Sequence, residues 1–330
     1  MTQLSQTAER TVRRVRHDPK LRLLEVKSVG RITPKMLRIT VGGDELAGFI
    51  SAAHDDHVKL FFPQPGQAKP VLPTTSPNGP VYPADAPRPA ARDYTPRRYD
   101  AAARTLAIDF VLHGDGPATS WAAQARPGDF LGVGGPRGSF IVPDDFDWYL
   151  LAGDETALPA IGRRLEQLPP DARVVVVVEV ADAGEEQRFD TRSRLDVQWL
   201  HRGDAAASEK SGSQSLLHDA VAGLSFPPGD GYAWVAAEAA TAKALRRHLV
   251  GERGLRKDRV KAAAYWKHGA LAVHETYDDC PRPPSGFHLH RSLKPRVSTR
   301  GRDVTNAGPA SSQWQRRWLT CAVLSPGFSE

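Results

Sequence analysis

Cysteine is nearly missing from this chain of 330 residues: there are two, Cys280 and Cys321. The body therefore offers no thiol nucleophile, no thiolate iron–sulfur site and no disulfide framework. Long apolar runs are missing too. None approaches the ~20 residues that span a bilayer, so membrane insertion is not expected. The polar, basic start has no apolar core of a secretory signal, and a cytoplasmic location is the expectation. Charge excess is small. The net charge is +6, and residues 278–330 hold eight Lys/Arg against four Asp/Glu. The body is thus near neutral, which argues against a nucleic-acid binder. No set of His, Asp and Glu has the spacing of a metal site.

What is present describes a globular protein. Hydrophobic residues make up 40% and charged residues 25%, and the length suggests two domains, each able to bury a core. In the first half, Leu21–Val29, Met36–Val41, His57–Phe62 and Thr105–Val111 alternate as half-buried strands. Val58, Leu60 and Phe62 point inward, as do Leu106, Ile108 and Phe110. His57 and Lys59 fall on the other face, where a surface role is expected for His57. Turn residues between short strands suggest a small antiparallel barrel. The basic run around Arg10, Arg13, Arg14 and Arg16 reads as an arm or short helix.

The rhythm changes at Trp148. Strands Trp148–Ala152, Val174–Val178, Val197–Leu200, Tyr232–Ala236 and Val260–Trp266 alternate with helices at Ala157–Leu168, Leu216–Val221 and Ala242–Val250. This is the pattern of a doubly wound, nucleotide-binding sheet. From Cys280 onward no period is sustained, and a disordered tail is expected.

One stretch, which reads as the start of a strand, stands out: Arg92-Asp93-Tyr94-Thr95-Pro96-Arg97. A ring and a hydroxyl between two guanidinium groups suit a ligand with a flat ring system and a phosphate. On these residues alone a surface hairpin serves as well. About twenty residues later, His113-Gly114-Asp115-Gly116-Pro117 leads into a helix at Ala118–Ala125. Its start offers free N–H groups to a pyrophosphate, with Thr119 and Ser120 beside them. The plainer reading is that these two hydroxyls satisfy backbone groups.

These stretches, with Gly135-Pro136-Arg137-Gly138-Ser139, Gly153-Asp154-Glu155-Thr156-Ala157-Leu158-Pro159-Ala160 and Tyr265-Trp266-Lys267-x-Gly269, resemble the siderophore-interacting, FAD-binding proteins. These are ferric-siderophore reductases of the ferredoxin-reductase-like superfamily. The resemblance spans about residues 18–277. It implies an α/β plus all-β fold: an antiparallel Greek-key β-barrel FAD domain (18–143) followed by a doubly wound parallel-sheet nucleotide-binding domain (148–277). A flexible arm (1–17) precedes them and the tail (278–330) follows. Such proteins lack a Gly-x-Gly-x-x-Gly fingerprint, as this chain does, so its absence does not count against a nicotinamide.

The resemblance also implies roles. Arg92, Tyr94 and Thr95 would hold the isoalloxazine and ribityl chain of FAD, helped by Arg97. His113, Gly116, Ala118, Thr119 and Ser120 would line the pyrophosphate and adenosine side. Asp154, Glu155 and Thr156 would border the flavin and the approach of NADPH or NADH. Lys59 and Lys267, with Arg246 or Arg247 as a third cation, would recruit an anionic ferric siderophore. No side chain is needed as acid or base, and iron arrives inside its chelator. The loop Val180–Gln187 is expected to read the ribose. The family has Ala-Gly-Glu where this chain has Ala236-Ala237-Glu238, and the extra methyl stands where close approach to the nucleotide is expected. Two rival readings remain open: an electron carrier between NAD(P)H and a redox protein, with ferredoxin a possible partner or donor, and a flavin- or siderophore-binding protein without turnover.

Overall fold

The computed structural model describes residues 10–76, 79–203, 215–269 and 275–277. The tail expected at 278–330 lies outside them. The first half builds a curled antiparallel sheet from β2 (Leu21–Thr33), β3 (Met36–Gly42), β4 (Val58–Phe62), β7 (Ala90–Tyr94), β8 (Arg98–Asp100), β9 (Thr105–Val111) and β10 (Phe130–Gly134), in the order β7-β4-β10-β2-β3-β9-β8. Period-two alternation sends Val58, Leu60, Phe62, Leu106, Ile108 and Phe110 inward, each at most 1% exposed. Burial stabilises each such side chain by about 1.5–3 kcal/mol, an upper figure because unfolded chains already bury some surface. Helix α1 (Pro117–Gln124) closes the curl: its Trp121 packs on Phe62 and Phe110. The long loop after β4 carries a small hairpin, β5 (Thr74–Ser76) with β6 (Gly79–Val81).

The basic run at the start is not an arm or a helix where it is described. Arg13–Arg16 is a strand, β1, paired antiparallel with β11 (Gly138–Ile141). Gly138 permits the pairing: a Cβ there would stand 2.5 Å from the Val15 carbonyl oxygen.

The second sheet runs β14 (Arg194–His201), β13 (Arg173–Val180), β12 (Trp148–Asp154), β15 (Gly231–Glu238), β16 (Val260–Trp266) and β17 (Glu275–Tyr277). All pairs are parallel except β16–β17. Numbered within this sheet the order is 3-2-1-4-5-6, that of a dinucleotide-binding fold. Alternate residues of β12 serve opposite faces. Tyr149 and Leu151 meet α2 (Leu158–Gln167), while Trp148, Leu150 and Ala152 meet α3 (Leu216–Ala222) and α4 (Ala239–Arg247). Covered on both faces, β12 is buried throughout. Helix α4 begins three residues earlier than its apolar period suggests, because Glu238 accepts hydrogen bonds from Ala240 N and Thr241 N. It runs on into a π-turn, His248–Glu252.

Charged side chains tie the two sheets together. Arg163 of α2, 8% exposed, donates to Ser51 Oγ, Ser51 O and Pro96 O at 2.7, 2.7 and 3.0 Å. Its neighbour Arg164 donates to Pro143 O at 2.7 Å. Glu185 accepts from Thr33 Oγ1 and Lys35 N at 2.5 and 2.9 Å. Lys261 of β16 meets Asp55 at 2.5 Å. Among the described residues no helix is long and apolar enough to cross a membrane.

Candidate functional site: a cleft between the curled sheet and the parallel sheet

A cleft of about 350 Å³ lies where the ends of β7 and β9 and the start of α1 face the C-terminal ends of β12 and β16. It sits beside β12 and β15, where the strand order reverses and doubly wound sheets bind ligands. One wall is His57, Arg92–Thr95, Asp109, Val111, His113 and the turn Gly116–Thr119. The other is Thr156, Pro159 and Tyr265–Gly269.

Strand pairing positions the first wall. Arg92 lies opposite Leu60 and Tyr94 opposite Val58 in the β7–β4 ladder. The motif therefore ends a strand rather than starting one, and Thr95-Pro96-Arg97 is the loop that follows. Tyr94 packs on Phe110 with ring centroids 4.6 Å apart, and burial raises its hydroxyl pKa. The Thr95 and Tyr265 side chains hydrogen-bond each other across the cleft floor. Gly116 leaves the α1 start without a side-chain cap, and Pro117 stands in its first turn. A Cβ at Gly116 or Gly114 would meet nothing within 4 Å, so both glycines border open space. Thr119 Oγ1 donates to His113 O at 3.0 Å, which is the plainer of its two expected roles.

The opposite wall depends on Gly153. A Cβ there would stand 2.4 Å from both Ala157 Cβ and Ala236 O, so only glycine lets β12, β15 and the start of α2 meet. The next residue, Asp154, is 6% exposed. It accepts from Thr156 N at 2.9 Å, Thr156 Oγ1 at 2.5 Å and Trp266 Nε1 at 2.7 Å. Burial pushes its pKa up to about 6 against the pull of these bonds.

Electrostatically the cleft is cationic. Its carboxylates are answered from outside: Asp93 by Lys59 at 2.7 Å, and Asp109 by Arg38 at 2.7 and 2.8 Å. Among the described residues no carboxylate pairs with Arg92 or Lys267. His57, His113 and His268 complete the polar lining.

The structure thus brings together Arg92, Tyr94, Thr95, His113, Gly116, Ala118, Thr119, Thr156 and Lys267. It places the other expected residues elsewhere. Arg97 faces α2, donating to Glu166 Oε2 at 3.0 Å and lying 3.9 Å from Asp109, and so ties the sheets rather than lining the cleft. Glu155 is held by Arg202, and Asp154 stands behind Trp266. Ser120 is exposed on α1, outside the lining. Lys59 sits one strand away on Asp93. Arg246 donates to Val260 O at 3.2 Å and Arg247 is exposed, so α4 supplies no cation to the lining. In the loop after β13, Glu185 turns to the curled sheet, Glu186 pairs with His201 and Asp182 caps Gly184 N. The extra methyl of Ala237 is 2% exposed and packs into the core beside α4, away from the crevice. His57 is exposed, as expected, and from its place just before β4 it also lines the cleft wall. His268 carried no sequence signal beyond its place between Lys267 and Gly269.

The strand order and the cleft at the C-terminal ends define a doubly wound dinucleotide-binding class of fold, which the ferredoxin reductase of carbazole 1,9a-dioxygenase shares with a TM-score of 0.52 at 19% identity, covering 73% of this chain and 68% of that one. The sequence matches the family described as siderophore-interacting protein over residues 146–269 and the siderophore-interacting FAD-binding domain over residues 25–140. It is 41% identical to the NADPH-dependent ferric-chelate reductase of Escherichia coli, over 77% of this chain and 95% of that one. With the ferric vibriobactin reductase ViuB of Vibrio cholerae it shares 34% identity over 75% of this chain and 90% of that one. The crystal structure of a siderophore utilization protein from T. fusca superposes with a TM-score of 0.71 at 44% identity, covering 79% of this chain and 98% of that one. The chain belongs to the siderophore-interacting protein family.

Proposed function

We propose that the protein is an FAD-dependent ferric-siderophore reductase of the cytoplasm, with residues 18–143 as its FAD domain and 148–277 as its NAD(P)-binding domain. The observation that carries this is the cleft itself: an uncapped helix start and Arg92 beside Tyr94 on one wall, and Lys267 on the other. The chemistry FAD supplies when bound is the exchange of one hydride from NADPH or NADH for two single electrons. The α1 amides and Arg92 suit its pyrophosphate. Tyr94 offers a ring face, and the Thr95–Tyr265 pair holds a polar edge at the cleft floor. These groups orient the cofactor and keep water from its buried side.

The substrate is chelated Fe(III). Hard oxygen ligands hold Fe(III) far better than Fe(II), so one added electron loosens the metal. Ferric catecholates are strongly anionic, and a cation about 4 Å from such a charge contributes about 4 kcal/mol near a protein surface. Lys267, in the wall opposite Arg92, suits this role. Lys59 is partly spent on Asp93 and acts at longer range. Similarity to an NADPH-dependent ferric-chelate reductase and to a ferric vibriobactin reductase supports both the donor and the iron chelate. Ferredoxin remains an alternative donor or partner.

The test uses FAD-saturated protein, NADPH, NADH or reduced ferredoxin in turn, and a ferric catecholate, with Fe(II) trapped by ferrozine. Fe(II) formation at the rate of flavin reoxidation is expected. Flavin reduced by NAD(P)H that passes no electrons to the chelate would favour the carrier reading, and bound flavin that no donor reduces would favour the non-catalytic one.

A further inference from the structure

We propose a second small-molecule site, for a planar aromatic anion, behind the flavin cleft. A cavity of about 310 Å³ lies under β1, and His57 and Tyr265 stand in the walls of both spaces. The Gly-Pro-Arg-Gly-Ser motif, which the cleft does not use, builds it. Gly138 lets β1 seat against β11, and Ser139 Oγ donates to Asp56 at 2.7 Å with His17 Nε2 2.8 Å away.

The lining pairs cations with aromatic faces. Arg14 and Arg16, two apart on β1, project to one side of the strand and line the cavity. The Arg14 guanidinium lies 5.3 Å from the Phe140 ring centroid, and Lys261 Nζ lies 3.9 Å from the same ring. Two acids share the wall, and each is bonded through Oδ2 alone, its Oδ1 buried without a hydrogen-bond partner among the described residues. Asp55 is held by Lys261 at 2.5 Å and Trp234 Nε1 at 3.1 Å. Asp56 accepts from Ser51, Ala53 N and Ser139 at 2.9, 3.1 and 2.7 Å, and burial raises its pKa. Arg16 has no carboxylate partner among the described residues. A guanidinium beside an aromatic wall takes a flat, negatively charged ring: the ring stacks and the carboxylate accepts a forked pair of hydrogen bonds. The volume is at the lower end for small-ligand sites, which begin near 300 Å³. It fits one ring and its carboxylate, not a whole iron chelate. A single dihydroxybenzoate unit, the arm of a catecholate chelator, matches in size and charge. That choice of occupant rests on the reductase reading; the preference for a flat anion does not.

The experiment titrates full-length, FAD-saturated protein with 2,3-dihydroxybenzoate by calorimetry, without iron or nicotinamide. Saturable binding in the millimolar range or tighter is expected, at least tenfold weaker for uncharged catechol and for inorganic phosphate. Arg16→Gln, on an exposed strand held by backbone pairing, should weaken binding tenfold or more with flavin content and melting temperature unchanged. Phe140→Leu should also weaken it, and Lys267→Ala, in the cleft wall, should not. No saturable binding, equal binding of phosphate, an unaffected Arg16→Gln, or loss in Lys267→Ala would each overturn the site. Turnover measured on the same preparation keeps the two readings apart: ferric-chelate reduction without dihydroxybenzoate binding sinks only this site, and the reverse sinks only the reductase.

Discussion

Replacing Asp154 with Asn should change how stability depends on pH. The native carboxyl titrates at about 6 because burial outweighs its three hydrogen bonds, whereas an unfolded Asp titrates near 3.9. Between those values the native state holds more protons than the unfolded state, so stability falls as pH rises. The whole penalty, roughly two pKa units, is about 3 kcal/mol. About 2 kcal/mol of it should appear between about pH 4.5 and about pH 7.5. In Asp154→Asn this titration is gone. The variant keeps the Thr156 bonds but loses an acceptor for Trp266 Nε1, an offset of about 1 kcal/mol at every pH. Urea unfolding of both proteins across that range reads the difference directly, since every other titrating group is common to both. The variant should gain about 2 kcal/mol on the parent toward neutral pH. Parallel curves would show that the Asp154 carboxyl is not destabilised by burial, and would refute the reasoning.

Gly153→Ala should destabilise by about 1–3 kcal/mol or more, since its Cβ meets a backbone oxygen at 2.4 Å; thermal unfolding checks it, and an unchanged melting temperature counts against the packing argument. Arg163→Met strips Pro96 O and Ser51 O of a buried donor. A loss of about 2–4 kcal/mol in stability and weaker FAD binding are expected, measured by urea unfolding and flavin titration. Lys267→Ala should raise KM for an anionic ferric chelate severalfold with flavin content intact. Lys59→Ala should do less, because Asp93 already neutralises that lysine at 2.7 Å; steady-state kinetics showing the larger effect for Lys59 would reverse the ranking.

Much of the architecture was legible locally. Val58, Leu60 and Phe62, and Leu106, Ile108 and Phe110, declare their faces through a period of two, and the valine run of β13 declares a strand covered twice. Arg92, Tyr94, Thr95 and the glycine-rich start of α1 could be picked out because a ring, a guanidinium and an uncapped helix start carry chemistry in their types and spacing. Family motifs added Thr156 and Lys267.

The remainder depended on partners far away in the chain. Arg13–Arg16 becomes a strand only because β11, more than a hundred residues later, presents a glycine that lets it close. Arg163 and Arg164 sit on a short helix where arginines ordinarily face water, yet the loops at Ser51 and Pro96 set carbonyls against the first, and the stretch after β11 sets carbonyls against the second. Arg97 and Lys59 have the residue types of ligand-binding groups, but Glu166 and Asp93 take them up. The sequence by itself determined strand and helix periods, the glycine positions and the residue types that a flavin and an iron chelate require. Tertiary structure alone decided which cations remain without a carboxylate and which space they face, because charge pairing and cavity shape follow from how two sheets pack, and that is set by contacts with no period along the chain.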